Sequence, residues 1–396
     1  MKVSVIAPTS IPSIKANTLQ VMKMTEAISS IGHQVHMVVP DSPDTEQEIE
    51  RSWGFLANHY GIQSRFPITW LPARMELRRY DYAWNAVKWA EEWGADAIFT
   101  RLPQAAALGA NRNLSTLFEI HDFPQGILGP IMLKLFLRGN GAQKLVVISR
   151  ALANDMVRDK YLTSNSQKLA VLPDGVDLRR YEDLPAPEES REIINGEMDQ
   201  HSRQIDTFFY PQQFTVGYTG HLYPGRGVSL ILDIASQLPE INFLIIGGEP
   251  GDVNKLIQQV KYRELQNITL TGFIPNSELP VYQAACDVLL MPYQPRVSAS
   301  SGGDIGRYLS PMKLFEYLAS GRAICSSNLP VLKEVLTPET AVLLPPENVE
   351  AWVAAIQQLC RDPRLRNELA ANAKAAAQEY SWQARAEKIF KDIKPS

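Results

Sequence analysis

A short segment, residues 310–321, has the residue types of an anion-binding helix start. Its serine–proline start and glycine end are typical of a capped helix, with the serine as N-cap. The backbone amides of Met312 and Lys313, together with the lysine charge, predict a phosphate site at this start. Glu316, about one turn later, is placed to accept hydrogen bonds from ribose hydroxyls. The alternative is a capped surface helix with a Lys–Glu pair.

A glycine-rich turn, residues 218–227, contains a second group of candidate anion ligands. Gly220 and the glycines after it allow close approach of the backbone to a ligand. Arg226 can hold a diphosphate with its planar guanidinium, and His221 can donate a hydrogen bond. A structural turn between a strand and a helix is the alternative here. Two anion sites in one sheet suit the two phosphates of a nucleoside diphosphate.

Parallel sheets covered by helices are predicted to position these residues, because short apolar runs alternate with segments of helical period. The predicted strands are 3–8, 34–40, 97–100, 116–120 and 145–148, then 214–218, 243–246, 268–270, 287–291 and 323–325. Helical periodicity covers residues 80–93 and most of 349–393. The stretch 184–213, rich in Pro, Glu and Gln, is predicted to be an exposed linker.

Length and composition exclude several classes of protein. At about 150 residues per domain, 396 residues favour two domains. A hydrophobic share of 45% and a charged share of 21% exclude a disordered chain, and a net charge of −4 gives no global basic field for nucleic acid. The three cysteines are far apart, which opposes a disulfide framework or a clustered zinc site. We expect a cytoplasmic protein.

Two further segments have open interpretations. The turn 247–251 partly matches a dinucleotide-binding turn, but the spacing of its glycines is incomplete, so a structural turn is favoured over an oxidoreductase. The apolar segment 127–138 is expected to be a buried core helix. The alternative is weak peripheral contact with a membrane, at its inner face.

Ordered motifs along the chain resemble those of a known family. They are Gly32-His33-Gln34-Val35, Val147-Ile148-Ser149, Leu172 to Asp177, Gly217 to Gly220, Thr271 to Pro275, Asp287 to Pro292, Pro311 to Gly321 and Tyr380-Ser381-Trp382. In this order they resemble the retaining glycosyltransferases of family 4 (glycosyl transferases group 1) over almost the full length. The resemblance implies a GT-B fold, with two Rossmann-like, doubly wound parallel-sheet domains facing a cleft. Residues 1–205 would bind the acceptor, residues 206–380 the nucleotide sugar, and the C-terminal helix, 381–396, would cross back.

The resemblance also implies the donor-binding residues. Glu316 matches the second acid of the family's E-x(7)-E signature, whereas Tyr308 stands at the position of the first acid. Asp304 or Arg307 would then substitute for that acid, and Ile274 matches the backbone position that meets the base. The full donor-binding set expected is Gly220, His221, Ile274, Asp304, Arg307, Tyr308, Ser310, Met312, Leu314 and Glu316.

In the first domain the resemblance implies a histidine near the donor sugar, and His121 matches it. With Arg226 and Lys313 it forms the expected catalytic set. The expected acceptor-side residues are Ser13, Lys15, Asn17 and Arg101, although Asn17 is also a candidate cap of the first helix. No metal is expected, because the two cations and the helix start can neutralise a leaving diphosphate.

The activity implied is that of a hexosyltransferase-type enzyme that acts with retention. It would move a sugar from a nucleotide-diphosphate sugar, of the UDP or GDP type, to a hydroxyl of a glycan, a lipid-linked sugar or a small molecule. The nucleotide sugar is a co-substrate, and no cofactor is expected. The family's arginine and lysine for the diphosphate fall on His221 and Arg226, so His221 departs from the pattern, as Tyr308 does. The alternative is therefore a catalytically impaired sugar-nucleotide-binding protein.

Overall fold

The computed structural model describes residues 1–41, 51–77, 79–163, 166–200, 210–298 and 303–396. The chain divides into two compact units. The first contains Met1–Asp174 and Trp382–Ser396, and the second contains Gly175–Ser381. Each unit is built around its own parallel sheet, which confirms the predicted fold class of two Rossmann-like domains.

The first sheet contains β1 (Lys2–Ile6), β2 (Gln34–Asp41), β3 (Ile68–Pro72), β4 (Ala97–Thr100), β5 (Thr116–Ile120), β6 (Ala142–Val147) and β7 (Leu169–Val171). The second contains β8 (Thr215–Thr219), β9 (Asn242–Ile246), β10 (Ile268–Gly272), β11 (Val288–Met291), β12 (Ala323–Ser327) and β13 (Val342–Leu344). The strand orders are β3-β2-β1-β4-β5-β6-β7 and β10-β9-β8-β11-β12-β13. The order therefore reverses between β1 and β4 and between β8 and β11, and ligands bind at such switch points in open α/β sheets.

Helices cover both sheets. Those before the second sheet are α1 (Ala16–Ser30), α2 (Trp53–Tyr60), α3 (Tyr80–Trp93), α4 (Pro103–Asn111), α5 (Leu128–Arg138), α6 (Arg150–Arg158) and α7 (Pro187–Gln200). Those that follow are α8 (Val228–Gln237), α9 (Pro250–Tyr262), α10 (Leu279–Ala284), α11 (Met312–Ser320), α12 (Val349–Arg361), α13 (Pro363–Ala377) and α14 (Trp382–Phe390). None of the helices in the described ranges is both long enough and apolar enough to cross a bilayer.

The second sheet is apolar on both faces, as expected for parallel strands between helices. Alternate residues of β11 pack on opposite sides: Leu289 faces the cluster that contains Phe315 of α11. Leu290 faces the cluster that contains Ile231 of α8 and Trp352 of α12. This two-sided core fixes β11 and α11 at the point where the candidate ligands of the second unit meet.

The predicted elements agree with the structure where the sequence pattern is strong. The strands 97–100 and 116–120 and the helix 80–93 have the bounds predicted. The sequence analysis does not predict β3, β7 and β13, which are short strands at the edges of the sheets. An edge strand buries less apolar surface, so its hydrophobic pattern is weaker.

The predicted linker 184–213 is wrong over its first part, because residues 187–200 form α7. Its composition is polar, yet Arg191 is 1% exposed and Ile194 is fully buried. Arg191 Nη1 lies 3.0 Å from Asp287 Oδ2 and donates to the carbonyl of Ala285 at 2.8 Å. Helix α7 is therefore held in part by a buried, paired arginine, where an apolar side chain would be expected. Helix α7 packs on α10 and belongs to the second unit, which begins at Gly175. The sequence analysis instead predicts that the first domain extends to residue 205. Residues 201–209 of the predicted linker lie outside the described ranges.

Candidate active site

The turn after β8 lies directly against the segment that follows β11. A Cβ atom on Gly227 would stand 1.9 Å from the carbonyl oxygen of Pro292, and its φ of +82° favours glycine. At Gly220, a Cβ would stand 3.0 Å from Lys313 Nζ. The glycines therefore bring the turn and α11 together at the switch point of the second sheet.

Lys313 lies in a nearly closed site beside two aromatic rings. Its Nζ is 3.8 Å from the ring centroid of Tyr218 and 5.3 Å from that of Tyr293. Arg226 Nη1 donates to the hydroxyl of Tyr293 at 2.9 Å. Within the described part of the chain, Lys313 Nζ has no hydrogen-bond partner, and the residue is only 9% exposed. Burial lowers the pKa of Lys313 well below its usual range, and the charge of Arg226 lowers it further, against the attraction of Glu316.

The predicted helix start differs from the structure by one residue. The N-cap of α11 is Pro311 and not Ser310, because Pro311 has extended backbone angles (φ −78°, ψ 129°) and the helix begins at Met312. The amide of Leu314 donates to the carbonyl of Pro311 at 2.9 Å, and its side chain is buried, so Leu314 supports the helix itself. Helix geometry leaves the amides of Met312 and Lys313 ahead of that first bond. They remain the candidate anion donors.

Glu316 is buried on the face of α11 next to a polar chain of side chains. Gln283 Nε2 donates to Glu316 Oε2 at 3.3 Å, and the hydroxyl of Tyr181 donates to Gln283 Oε1 at 2.9 Å. Glu316 is 9% exposed. The carboxylate is thus held in one orientation, with oxygen capacity left for a diol.

The remaining candidates of the glycine-rich turn are held by their neighbours. The ring of His221 stacks on that of Tyr223, with centroids 4.8 Å apart and an angle of 2°. The hydroxyl of Tyr223 donates to Glu249 Oε1 at 2.5 Å. Glu249 is the N-cap residue of α9, so the turn 247–251 has a structural role in positioning Tyr223.

The candidates near the missing first acid lie on a hydrogen-bonded turn. Asp304 Oδ1 accepts hydrogen bonds from the amides of Val297 and Gly306, each at 2.9 Å. These bonds lower the pKa of Asp304. The Arg307 guanidinium lies 5.8 Å from the ring centroid of Tyr308. Ile274 packs at the edge of the apolar cluster of the second unit.

In the first unit, His121 directly follows β5 and contacts a buried carboxylate. His121 Nε2 lies 2.6 Å from Glu119 Oε1, and Gln20 Nε2 donates to the same oxygen at 2.7 Å. Burial of Glu119 raises its pKa, but Arg385 and the hydrogen bond from His121 outweigh burial and hold that pKa well below its ordinary value. An ionised carboxylate can only accept, so Nε2 of His121 carries the proton. Burial and the charge of Arg101 lower the pKa of His121, which favours the neutral ring with Nδ1 as acceptor.

Arg385 of α14 connects the C-terminal helix to this cluster. Its Nη1 lies 2.8 Å from Glu119 Oε2, and its Nε donates to the carbonyl of Pro173 at 2.7 Å. Asp174, whose pKa is raised by burial, lies in the same cluster. One ligand atom each from Glu119, His121 and Asp174 lies within 4.8 Å of the others, a spacing that a metal ion could use. Arg385 and Arg101 already compensate the carboxylate charge, so a cation would have to compete with them.

The expected acceptor-side residues lie beyond β1 and β4. The amide of Ser13 donates to the hydroxyl of Tyr60 at 2.7 Å, which fastens the loop to α2. Lys15 is the N-cap residue of α1, so Asn17 lies inside the helix and is not its cap. Asn17 Oδ1 is buried without a hydrogen-bond partner in the described ranges. Arg101 is 13% exposed and donates to Gln20 Oε1 at 2.9 Å, so it belongs to the Glu119 cluster.

Sequence reasoning missed several residues of both sites. In the first unit they are Glu119, Asp174 and Arg385, and in the second Tyr218, Gln283 and Tyr293. Glu119 had a usable signal, because residues two apart on a strand share a face and His121 continues that strand. The others come from distant segments, and only the fold brings them together.

Comparisons with known proteins match both halves of the chain. The model of the Glycosyltransferase Family 4 domain matches residues 19–180, and that of the Glycosyl transferases group 1 domain matches residues 213–362. A Bacillus subtilis (strain 168) glycosyltransferase provisionally assigned to teichuronic acid biosynthesis, TuaH, is 24% identical over 202 residues, or 51% of this chain and 45% of that protein. The phosphatidyl-myo-inositol mannosyltransferase of Mycolicibacterium smegmatis is 21% identical over 96% of this chain and 90% of its own length.

Solved structures share the fold over nearly the whole chain. The Anabaena protein Alr3699/HepE, determined in complex with UDP, has a TM-score of 0.69 at 16% identity and covers 99% of each chain. The sucrose-phosphate synthase of Thermosynechococcus elongatus has the same TM-score at 18% identity, over 98% of this chain and 97% of its own. With both halves matched and the two-sheet fold shared, the chain belongs to the group 1 and family 4 glycosyltransferases.

Proposed function

We propose that this glycosyltransferase takes its sugar from a nucleoside diphosphate sugar and transfers it with retention to an acceptor hydroxyl. The observation that carries the proposal is the buried Lys313, which has no hydrogen-bond partner in the described ranges and lies beside Arg226 at a switch point. A buried cation without an acceptor is costly, and an anionic ligand would relieve that cost. The UDP complex of the Anabaena relative makes a uridine nucleotide the first candidate, with GDP as the second.

In the proposed donor site, one group of residues stabilises charge and another holds the ribose in place. Departure of the diphosphate builds negative charge, which Lys313, Arg226 and the first amides of α11 would stabilise without a metal. Glu316 would hold the ribose hydroxyls, and its own orientation is held by Gln283. No protein nucleophile is assigned. The leaving phosphate would itself accept the proton of the acceptor hydroxyl.

In the first unit, the neutral His121 is proposed to position a sugar. Its Nε2 proton is held by Glu119, so Nδ1 is left to accept a hydrogen bond from a hydroxyl. The loop of Ser13, Lys15 and Asn17 is proposed for the acceptor. We propose a cytoplasmic location for the reaction, and a glycan, a lipid-linked sugar or a small molecule as the acceptor.

Replacing Glu316 by Ala is expected to remove nucleotide binding. In the wild type, UDP or GDP at 100 times its Kd should raise the free energy of unfolding by about 2.7 kcal/mol. Glu316→Ala should show almost no ligand-induced rise in Tm, because the ribose loses its carboxylate partner. Glu240→Ala, which removes an exposed acid of the same unit between α8 and β9, is the matched control and should keep the full rise. An undiminished rise for Glu316→Ala would remove the ribose role.

The same preparation distinguishes transfer from binding alone. Labelled nucleotide sugars are incubated with glycan, lipid-linked and small-molecule acceptors. Transfer of the sugar, or hydrolysis of the donor, would support the proposed enzymatic activity. Nucleotide binding without either reaction, across the panel, would favour the catalytically impaired binding protein suggested by Tyr308.

Helix α5 is proposed to contact anionic lipid. The expected burial of this segment is wrong for one face: Ile127 is 83% exposed and Ile131 44% exposed, whereas Leu133 and Phe136 are buried. Lys134 and Arg138 are exposed on the same helix. Vesicles with anionic headgroups should sediment the wild type, and the double variant Ile127→Ser/Ile131→Ser should bind at least about tenfold less. Equal sedimentation of both proteins would contradict the contact.

A further inference from the structure

A cleft that is separate from both candidate sites lies in the first unit, beside the edge strand β3. It has a volume of about 500 Å³ and is formed by the start of α2, the segment before β3 and β3 itself. This volume is in the range of small-molecule sites, about 300–1,000 Å³. Its main lining residues are Arg51, Trp53, Arg65, Phe66, Ile68 and Trp70. The Glu119 cluster and the Lys313 site use none of them.

The aromatic walls of the cleft are fixed in place. Trp53 packs edge to face against Phe66, with ring centroids 5.3 Å apart. Trp70 Nε1 donates to the carbonyl of Ile11 at 3.1 Å, which ties this wall to the loop after β1. Both indoles are only half-buried. They therefore present rigid apolar surfaces, of the kind that pack against the C–H faces of pyranose rings.

The charged side chains of the described lining are two arginines, Arg51 and Arg65. Arg51 lies over the ring of Trp70, 4.9 Å from its centroid, and Arg51 Nη2 is 2.6 Å from Asp41 Oδ1. Arg65 is exposed, and no hydrogen bond or ion pair of its side chain is found among the described residues. Among the described residues of this cleft, two guanidinium groups have one carboxylate partner, Asp41, and the described lining contains no acid. An arginine fork matches a carboxylate or a phosphate group in shape and charge.

We propose that this cleft binds an anionic saccharide, with its pyranose ring on Trp53 and its carboxylate or phosphate on Arg65 and Arg51. Aromatic packing next to an arginine favours a sugar acid over a purely apolar ligand, because an apolar ligand would cover the Arg65 guanidinium without offering it an acceptor. As a role, acceptor recognition rests on the proposed function, because Trp70 is bonded to the loop that contains Ser13. Binding itself does not depend on transfer.

The test is titration of the full chain with defined saccharides, followed by calorimetry. The probes are a tetrasaccharide with alternating glucuronate residues, its carboxyl-reduced form, and glucose 6-phosphate. The glucuronate compound or the phosphosugar should bind, and the stronger of the two identifies the anion that the cleft prefers. Arg65→Gln should weaken that binding by about tenfold or more, as loss of a charge-assisted hydrogen bond predicts. Trp53→Ala should weaken binding of the saccharides but leave binding of inorganic phosphate, titrated as a fourth probe, unchanged.

Two controls keep the outcomes distinct. Arg74→Gln, an exposed arginine of the same unit outside the cleft, should bind as the wild type does. Equal binding of the carboxyl-reduced tetrasaccharide, no effect of Arg65→Gln, or Arg65-dependent binding of anionic lipid vesicles without saccharide binding would each overturn the proposal. UDP and GDP are titrated into the same proteins. If they fail to bind the wild type, the proposed function fails, while the saccharide result still decides the cleft.

Discussion

Lys313→Met is expected to weaken nucleoside diphosphate binding strongly while leaving the fold at least as stable as the wild type. Methionine has a similar length and needs no hydrogen-bond partner, so the variant removes a buried cation that has no hydrogen-bond acceptor among the described residues. Loss of a charge-assisted contact to the diphosphate should weaken binding by about 10- to 100-fold. Transfer should fall by about 10²- to 10³-fold, because the lost charge acts where negative charge develops.

The matched control for this variant is Lys333→Met, which replaces an exposed lysine of the same unit. It should leave Tm, nucleotide affinity and transfer unchanged. Thermal melts give the stability, and calorimetric titration gives the affinity. A Lys313→Met protein that melts well below the wild type, or that binds the nucleotide normally, contradicts the assigned role.

The pH dependence of stability provides an independent test of the burial of Lys313. Because the folded-state pKa of Lys313 is lowered from 10.5, the unfolded chain binds more protons between that lowered value and 10.5. The contribution of Lys313 to the free energy of unfolding therefore rises with pH across this window and is lost as pH falls. Arg226, Glu316, Tyr218 and Tyr293 face the ammonium group and stay in place in Lys313→Met. The difference in Tm between the variant and the wild type should therefore grow as the pH is lowered.

Arg385→Met is expected to cost about 3–5 kcal/mol in the free energy of unfolding, because it leaves the buried Glu119 without its closest cation. The variant also loses the hydrogen bonds from Arg385 to the carbonyls of Leu172 and Pro173. Chemical denaturation measures the change. Lys388→Met, an exposed lysine on the same helix, is the control and should shift the free energy by less than about 0.5 kcal/mol.

A double-variant cycle separates the ion pair from general loss of packing. Glu119→Gln combined with Arg385→Met should cost clearly less than the sum of the two single changes, since neither partner then remains as an uncompensated charge. The wild type should lose stability as pH falls below the ordinary pKa of 4.5 toward the lowered folded-state value of Glu119. That loss should be smaller in Arg385→Met. Strictly additive costs would mean that the pair contributes no coupling.

The sequence predicts the architecture well because periodicity encodes it. The strands around β4 and β5 and the helix α3 have clear apolar patterns, and their bounds agree with the structure. Helix α7 was missed because its buried residue Arg191 is polar, and only Asp287, far along the chain, makes that burial favourable. Sequence periodicity cannot predict an ion pair between two residues that are far apart in the chain.

The candidate sites could be predicted only in part. Lys313, Arg226 and Glu316 are candidates from the sequence alone because helix starts and glycine turns have local signatures. The rings of Tyr218 and Tyr293 lie beside the ammonium group. They come together only because β8 and β11, which are distant in sequence, are neighbours in the sheet. Arg385 contacts Glu119 from the C-terminal helix, and no local sequence pattern predicts that contact.

The most direct measurement is a crystal structure of the full chain grown with UDP or GDP. It should place the diphosphate within hydrogen-bonding distance of Lys313 Nζ and the Arg226 guanidinium, with the ribose hydroxyls on Glu316. A nucleotide bound elsewhere, with Lys313 still enclosed by its two tyrosine rings and without an anionic partner, would contradict the account.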